Sequence, residues 1–326
     1  MQTIVMTAVG DPEVLQVRDL PDPHPGTGEI LVQATAIPVL YPEIALRTGI
    51  FPMAADLPAV FGFQAAGAVI EIGARVDPAL LGAHVVAATA GSGAYAEKVC
   101  VQAEFATVIP AGLSVDAAAA VLMGGSVAIA LLRRAALTGT ETVLIQAAAA
   151  GVGGYLTQLA GEFGAKRVIA TAGGAKAERA RALGAHEVID HRDPNWTQHL
   201  RDTLGDNTID VVFESIGGPA AADLLDLMTP LEGRMLGYGT LSGLPAAITA
   251  ADLFARGLTY TACAGPAWLG TVAAARAEVL RRAADGTIEP LIDRVLPLDQ
   301  AAQAHRLVED RRTVGTIILR PNPTAA

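Results

Sequence analysis

The pattern of apolar and polar residues changes near Ser114. Before that residue, short apolar runs are separated by Pro and Gly, which is typical of β-strands joined by turns. After it, apolar residues recur at helical spacing as far as Leu137, with Ser114 as the candidate N-cap, and then form short runs that are each followed by a helical stretch. The predicted strands are Glu29–Ile37, Ala66–Ile72, His84–Ala88, Tyr95–Val101, Thr107–Ile109, Thr142–Ile145, Val168–Thr171, Glu187–Ile189, Ile209–Phe213, Arg234–Leu236, Thr259–Ala264 and Gly315–Leu319.

Alternating strands and helices after Ser114 predict βαβ units, and right-handed crossovers then give a doubly wound parallel sheet. A final helix is expected around Thr271–Asp285. The 326 residues exceed the length at which a single hydrophobic core stops growing, so we expect two domains. We predict a β-rich domain over residues 1–115, completed by residues 286–326, and an α/β domain over residues 116–285.

The strongest local signal is the segment TVLIQAAAAGVGGYLTQLAGEFGAKRVIAT, residues 142–171. It predicts a strand, a turn of small residues at Ala147–Gly154, a helix through Glu162 and a second strand. A pyrophosphate requires a turn without bulky side chains and a helix N-terminus whose free N–H groups face it. The segment therefore predicts a dinucleotide-binding site. Tight packing of a helix on a strand is the alternative explanation for the small residues.

The residues after the second predicted strand favour NADPH over NADH. An NAD-specific site has a carboxylate at the end of this strand, bound to the ribose 2′-OH. Here the strand is followed by Ala172-Gly173-Gly174, and the first acid is Glu178. Lys176 and Arg179 offer positive charge to a 2′-phosphate, although both are also typical of a solvated helix surface.

Composition excludes several classes of protein. A formal charge of −10 without blocks of like charge argues against nucleic acid as a partner. No uninterrupted apolar run reaches the ~18–20 residues of a membrane span, and the N-terminus has no secretory signal pattern. The two cysteines, Cys100 and Cys263, cannot form a dense disulfide framework, so we expect a cytoplasmic protein.

Short motifs follow one another along nearly the whole chain. They are RTGIFP at Arg47–Pro52, GFQAAGAV at Gly62–Val69, GAYAE at Gly93–Glu97, AAAAGVG at Ala147–Gly153, LGAHEVIDHR at Leu183–Arg192, ESIGG at Glu214–Gly218 and AHRLVEDRRTVGT at Ala304–Thr316. In this order they resemble the medium-chain dehydrogenase/reductase superfamily, and specifically its zinc-free quinone oxidoreductase (zeta-crystallin-like) branch.

The resemblance implies a GroES-like β-barrel catalytic domain built from both chain ends, a Rossmann domain that binds NADPH, and an active site between them. It also implies a homodimer, in which the predicted edge strand at Leu258–Ala264 pairs across a two-fold axis. The cofactor-binding residues carried over by position are Val127, Ala150, Gly151, Val152, Gly173, Lys176, His191, Ser215, Tyr238 and Arg311.

This sequence departs from the family pattern at several positions. Ala150 replaces the first glycine of the dinucleotide turn, and His191 stands where a Tyr is usual. The loop that carries Lys176 is one residue shorter, and the family segment N-P-x-D is here the sequence from Leu40 to Glu43. These departures concern the substrate pocket more than the hydride chemistry.

No metal is expected. Zinc alcohol dehydrogenases of this superfamily bind catalytic zinc with a Cys and a His-Glu pair, whereas this chain has Leu40 and Phe63-Gln64 there. A quinone or enone accepts hydride without a metal, because the arriving charge delocalises onto oxygen. Tyr41 is the candidate catalytic residue, as proton donor or as a hydrogen-bond donor to the oxyanion; it could equally only shape the pocket. Gln64 is expected to support the barrel or to contact substrate.

We therefore predict an NADPH-dependent oxidoreductase that transfers hydride to a quinone, an enone or another small electrophile. The sequence is also compatible with two alternative functions. One is an enoyl-thioester reductase of a biosynthetic pathway, and the other is a protein that binds NADPH without turnover.

Overall fold

The computed structural model describes residues 1–50, 56–89 and 91–322, which form two compact units. The first unit combines Met1–Met123 with Arg276–Ala326, and the second is Gly124–Ala275. Compared with the predicted domains, residues 116–123 and 276–285 thus belong to the unit that holds both chain ends. Phe51 and Pro52 of the RTGIFP motif, together with the last residues of the predicted 286–326 segment, lie outside the described residues.

The strands and helices have the following bounds. The strands are β1 Gln2–Met6, β2 Leu15–Asp19, β3 Glu29–Pro38, β4 Ala59–Val60, β5 Gln64–Ile72, β6 His84–Ala88, β7 Lys98–Gln102, β8 Ala106–Val108, β9 Thr142–Ile145, β10 Arg167–Thr171, β11 Glu187–Ile189, β12 Val211–Glu214, β13 Arg234–Gly237, β14 Thr259–Ala262, β15 Ile292–Pro297 and β16 Thr316–Arg320. The α-helices are α1 Tyr41–Arg47, α2 Val115–Ala135, α3 Gly151–Leu159, α4 Lys176–Ala182, α5 Trp196–Leu204, α6 Ala250–Arg256, α7 Gly265–Ala274, α8 Arg276–Ala284 and α9 Ala301–Glu309. The 3-10 helices are Pro12–Val14, Pro78–Leu80, Ala103–Phe105, Pro219–Leu227 and Leu298–Gln300.

The first unit is built on sheets that contain strands from both ends of the chain. β1 pairs antiparallel with β2 and β4. The larger sheet has the order β15-β16-β3-β5-β6-β8, with β7 also paired to β3. Ile318 of β16 lies opposite Pro38 of β3, so the C-terminal strand extends a sheet that the N-terminal residues begin.

The second unit contains the predicted doubly wound sheet, which confirms the α/β class. Its strands are all parallel and have the order β11-β10-β9-β12-β13-β14. The strand order reverses between β9 and β12, and the carboxyl ends at such a reversal form the ligand-binding edge of this type of sheet. β14 is an edge strand, as the sequence predicted.

Helix α2 begins where the hydrophobic period changes. The Ser114 hydroxyl accepts a hydrogen bond from Ala117 N at 3.2 Å, which confirms the predicted N-cap. By length and composition alone α2 resembles a membrane span, and it is the only such helix among the described residues. However, 67% of the most apolar stretch of α2 is buried inside the protein, which is typical of a core helix.

One sequence-based helix prediction was wrong. The helix expected over Thr271–Asp285 is two helices, because Ala275 N bonds to Val272 O, three residues back, and so ends α7. The stretch after β12 is helical, as predicted, and it is a 3-10 helix. Its buried residues include Ala221, Leu224 and Leu227, and this three-residue spacing matches the eclipsed i, i+3 positions of a 3-10 helix.

Candidate functional site

The turn between β9 and α3 has the geometry that a dinucleotide requires. Gly151, the first residue of α3, has φ +52°, and a Cβ there would meet no atom within 4 Å. Ala150 is the N-cap, and no side chain caps the helix. The first N–H groups of α3 are therefore available to an anion, as binding of a pyrophosphate requires. These residues fit the adenine dinucleotide that the sequence predicts.

Gly153 and Ala150 have different roles in this turn. A Cβ at Gly153 would lie 2.4 Å from Ala147 O, so only glycine lets α3 pack directly on the end of β9. Ala150 replaces a family glycine, but its φ of −154° is extended backbone that any residue adopts. The alanine is therefore unstrained. Val152 follows in the first turn of α3 and is partly exposed.

Helix α2 packs closely on the same turn. A Cβ at Gly124 would lie 2.9 Å from the ring of Tyr155, a buried residue of α3. On α2, Ser126 and Ala128 are buried while Val127 between them is partly exposed. The contact through Gly124 thus fixes the helix that carries Val127, one of the predicted cofactor-binding residues.

A second cluster follows β10 and β11, where the sequence predicts recognition of the 2′-phosphate. Gly173 and Gly174 form the turn between β10 and α4, and Lys176 begins α4. Asp190 reaches this turn from the end of β11 and accepts a hydrogen bond from Gly174 N at 3.1 Å. Arg192, which the sequence analysis did not select, lies directly on the two glycines. The predicted residues Gly173, Lys176 and His191 thus lie on segments that meet at this turn.

A third cluster lies at the carboxyl ends of β9, β12 and β13. Gln146 Oε1 accepts a hydrogen bond from Ser215 N at 3.1 Å and so links the ends of β9 and β12. Glu214, which matches the Asp of the family motif, is fully buried, and its Oε1 accepts from Ile216 N at 2.7 Å. Burial raises the pKa of the Glu214 carboxyl. Burial also raises the pKa of Tyr238, which keeps its phenol protonated.

Two predicted site residues lie in the first unit. Tyr41 is the first residue of α1 and is 37% exposed. Burial of the remainder raises the pKa of Tyr41, and the positive charge of Arg311 opposes this shift. Arg311 follows α9 and has φ +55°. Because its charge acts on Tyr41, the fold brings together residues 41 and 311 from opposite ends of the chain.

The interior of the first unit contains a chain of hydrogen bonds that no sequence motif indicated. Arg47 Nε lies 3.2 Å from His305 Nδ1, and His305 Nε2 lies 3.1 Å from Tyr95 Oη. Tyr95 Oη lies 2.7 Å from Glu43 Oε2. The Arg47 N–H can only donate, so His305 Nδ1 accepts and the ring proton is on Nε2. Each group therefore donates to the next, from Arg47 to Glu43.

Each end of this chain of hydrogen bonds is tied to another segment of the unit. Arg47 also forms an ion pair with Glu309 and donates to Gly10 O. Glu43 accepts from Leu40 N at 2.8 Å and from Phe63 N at 2.7 Å. A guanidinium with no exposed surface is thus compensated, as a buried charge requires.

Burial sets the protonation of these groups. It raises the pKa of Glu43 to about 7, although the hydrogen bonds from Leu40, Tyr95 and Phe63 act in the opposite direction. It lowers the pKa of His305 to about 3, and the nearby charge of Arg47 adds to the shift. His305 is therefore neutral at pH 7.

Glu43 connects the segments that hold zinc ligands in zinc alcohol dehydrogenases. Leu40 and Phe63 both donate their N–H groups to its carboxylate. Gln64 is fully buried, and its side-chain Nε2 donates to Ala119 O at 2.8 Å. This bond accounts for Gln64 as a support of the unit. Within residues 1–50, 56–89 and 91–322, no group of three or more His, Cys, Asp or Glu side chains is arranged to hold a metal ion.

Comparison with known proteins agrees with this geometry. Residues 26–111 match the alcohol dehydrogenase GroES-like domain, and residues 183–319 match the zinc-binding dehydrogenase family. Quinone oxidoreductase of Pseudomonas aeruginosa is 32% identical, over 98% of this chain and 99% of that protein. This chain belongs to the quinone oxidoreductase family.

Other members of the superfamily extend the comparison. The crystal structure of Escherichia coli quinone oxidoreductase complexed with NADPH has a TM-score of 0.89 and 31% identity, and the match covers 98% of this chain and 100% of that one. The 2-haloacrylate reductase of a Burkholderia species is 30% identical, over 98% of this chain and 99% of that protein. The predicted membership of the medium-chain dehydrogenase/reductase superfamily and its quinone oxidoreductase branch is confirmed.

In this quinone oxidoreductase, the predicted site residues belong to both units. Tyr41 and Arg311 are in the first unit, and Val127, Ala150, Gly151, Val152, Gly173, Lys176, His191, Ser215 and Tyr238 are in the second. Glu43, Asp190, Arg192 and Glu214 were not selected from the sequence. For Arg192 a signal existed, because the motif LGAHEVIDHR ends on it.

Proposed function

We propose that this quinone oxidoreductase uses NADPH to transfer hydride to a quinone or to an activated carbon–carbon double bond in a small molecule, without a metal ion. The observation that carries the proposal is the open N-terminus of α3 at Gly151. In addition, strand β10, which precedes the Gly173–Gly174 turn, supplies no carboxylate. The NADPH complex of the E. coli relative supports the choice of cofactor.

The residues that would hold NADPH have distinct tasks. The backbone of Ala150, Gly151 and Val152 would bind the pyrophosphate, since their N–H groups stand at the start of α3. The turn at Gly173 would hold the adenosine ribose and its 2′-phosphate. Val127 would face the nicotinamide, and NADPH when bound supplies the hydride.

Tyr41 is proposed as the group that supplies a proton or a hydrogen bond to the reduced acceptor. The phenol is protonated at neutral pH, so it can donate a hydrogen bond to an oxyanion, although burial raises its pKa and makes it a weaker acid. The side chain as a whole is 37% exposed, so it lies at the surface of the first unit and not in its core. Arg311 beside it stabilises negative charge as it develops on Tyr41 or on the substrate.

The acceptor is proposed to be electrophilic because no metal ligand is present at Leu40, Phe63 or Gln64. Without a Lewis acid, hydride transfer is fastest to a substrate that delocalises the new charge itself. The 2-haloacrylate reductase among the relatives supports an activated alkene as a second acceptor class beside quinones.

The test is a screen of purified protein for NADPH oxidation with quinones, enones, 2-haloacrylates and enoyl thioesters. NADH is the cofactor control, and metal content is measured by elemental analysis of the same sample. We expect turnover with a quinone or an enone, substoichiometric zinc and loss of activity in Gly151→Trp. Turnover confined to enoyl thioesters would favour the biosynthetic reductase, and binding of NADPH without any turnover would favour a non-catalytic protein.

We further infer a cytoplasmic homodimer. Both cysteines are free, Cys100 in the first unit and Cys263 in the second, which suits a reducing compartment. The edge strand β14 offers unpaired backbone groups that a second copy of the chain is able to pair.

A further inference from the structure

The side chain of Arg192 lies across the turn after β10 although it is 61% exposed. A Cβ at Gly173 would lie 2.7 Å from Arg192 Cδ and Nε, and a Cβ at Gly174 would lie 2.7 Å from both terminal nitrogens. The aliphatic part of the side chain therefore covers Gly173, and the guanidinium covers Gly174. The absence of side chains at both positions is what permits this placement.

Asp190 holds the guanidinium in place. Arg192 Nε donates to Oδ1 at 3.0 Å and Nη2 donates to Oδ2 at 2.7 Å, which is the bidentate geometry of a carboxylate and an arginine. The same carboxylate accepts from Gly174 N at 3.1 Å and from Arg192 N at 3.0 Å. One carboxylate thus fixes both the turn and the cation that lies on it.

Two charges meet at this turn, and their balance matters for a ribose substituent. The hydrogen bonds from Arg192 hold the pKa of Asp190 well below its usual range, so the carboxyl is ionised at neutral pH. Alone, this carboxylate would repel a phosphate and accept a hydrogen bond from a hydroxyl. Arg192 neutralises it, and only two of the five guanidinium N–H groups are used on Asp190. Three N–H groups remain for an anion.

The position is the one at which this type of fold distinguishes the two nicotinamide cofactors. The adenosine ribose lies at the end of the second strand of the βαβ unit, where an acid selects a 2′-OH and an arginine accommodates a 2′-phosphate. Here β10 supplies neither group. Both come from residues 190 and 192, immediately after the neighbouring strand β11, which pairs with β10.

We propose that Arg192, clamped by Asp190, is the residue that selects NADPH over NADH, by binding the 2′-phosphate. This inference rests on the proposed use of a nicotinamide dinucleotide. Clamping reduces the conformational entropy lost when the guanidinium binds its anion. When Arg192 is removed, the 2′-phosphate loses its partner and the carboxylate of Asp190 is no longer neutralised, so the preference for a 2′-phosphate over a 2′-OH falls.

The test is calorimetry on the full chain with 2′,5′-ADP and 5′-AMP, which differ only in the 2′-phosphate. We expect Arg192→Gln to weaken binding of 2′,5′-ADP by roughly 10- to 100-fold, the range for a lost hydrogen-bonded charge. Binding of 5′-AMP should change by less than about twofold, since no phosphate contact to it is lost. Asp190→Asn keeps the arginine but loses the clamp, so it should weaken binding of 2′,5′-ADP by less than about tenfold.

Arg181→Gln is the matched control, because it removes one exposed positive charge from the same region of the second unit. It should leave both affinities unchanged. Arg192→Lys, which keeps the charge but not the fork, should give an intermediate loss and serves if Arg192→Gln does not fold.

The outcomes distinguish the role of Arg192 from the cofactor preference of the protein. If Arg192→Gln keeps the wild-type ratio of the two affinities, or if Arg181→Gln loses as much, the selective role of Arg192 is overturned. If the wild-type protein does not prefer 2′,5′-ADP, the proposed cofactor preference itself is wrong, whatever the variants do.

Discussion

The Tyr95 hydroxyl lies 2.7 Å from Glu43 Oε2, and both side chains are fully buried in the first unit. The bond is the last in a series in which Arg47, His305 and Tyr95 each donate to the next group. A buried carboxylate and a buried neutral imidazole are thus linked through one phenol. This arrangement has measurable consequences for the dependence of stability on pH.

The two ends of this series should have opposite effects on stability as pH changes. The folded pKa of His305 is about 3, lowered from 6.5. Its stabilising contribution is therefore present above pH 6.5 and is lost as pH falls from 6.5 towards 3. The folded pKa of Glu43, about 7, is raised from 4.5, so its contribution is present below pH 4.5 and is lost as pH rises towards 7. Between pH 4.5 and 6.5 the two effects oppose each other.

Substitution of either residue should therefore expose the effect of the other. In Glu43→Gln, the free energy of unfolding should rise with pH between 5 and 6.5 more steeply than in the wild-type protein, by up to about 1.4 kcal/mol per pH unit. In His305→Gln, it should fall over the same interval. Urea titrations at several pH values measure both slopes. Parallel curves for the three proteins would contradict the assignment of these groups.

The glycines of the dinucleotide turn should respond differently to alanine. Gly153→Ala places a Cβ 2.4 Å from Ala147 O, so we expect a loss of about 1–3 kcal/mol in stability and weakened NADPH binding. Gly151→Ala meets open space but keeps φ +52°, which costs about 1–2 kcal/mol for a residue with a side chain. Gly161→Ala, with open space and no positive φ, is the control and should be close to neutral. Thermal melts and NADPH titrations test all three, and equal behaviour of Gly153→Ala and Gly161→Ala would refute the packing argument.

Tyr41→Phe separates chemistry from pocket shape. If the hydroxyl donates to the reduced acceptor, kcat should fall by about 10²-fold or more while the NADPH dissociation constant stays within about twofold. The variant keeps the ring, so a residue that only shapes the pocket would leave kcat unchanged. Stopped-flow measurement of NADPH oxidation with a quinone distinguishes the two results.

The proposed dimer can be tested at the edge strand without damage to the sheet. Thr259 N donates to Gly233 O, just before β13, and Cys263 N donates to Gly237 O of β13. By strand alternation the N–H groups of Tyr260 and Ala262 therefore point away from β13. Ala262→Pro removes one outward donor and should shift the protein from dimer to monomer. Ala262→Thr keeps the donor and should remain dimeric. Light scattering gives the molar masses of the three proteins. A monomeric wild-type protein would contradict the proposed interface.

The parallel sheet was well predicted from the sequence because its central strands β9, β10, β12 and β13 are largely buried and appear as continuous apolar runs. Thr142–Ile145 and Glu187–Ile189 match the observed strands at both ends. In contrast, β2 has a single buried residue followed by partly or fully exposed ones, so it lacks the alternation that indicates a strand. β1, β4 and β15 were also missed, and β4 has two residues only.

The polar network and the arginine clamp could not be derived from local pattern. Arg47 and His305 are 258 residues apart in the chain, and no periodicity relates them. Both lie within family motifs, yet those motifs do not show that one side chain donates to the other. From the sequence alone, Arg192 is only the last residue of a motif. Its role depends on the turn after a different strand, β10. Contacts that depend on the arrangement of distant segments need the structure.

The discontinuity of the first unit also constrains the order in which the protein is made. On the ribosome, residues 124–275 emerge as one uninterrupted segment and have all the strands of their sheet before synthesis ends. β3 must wait for β16, and Arg47 must wait for His305 and Glu309 to compensate its charge. The pairing of β3 on that side is therefore completed only after β16 has left the ribosome, whereas the sheet of the second unit is able to form earlier.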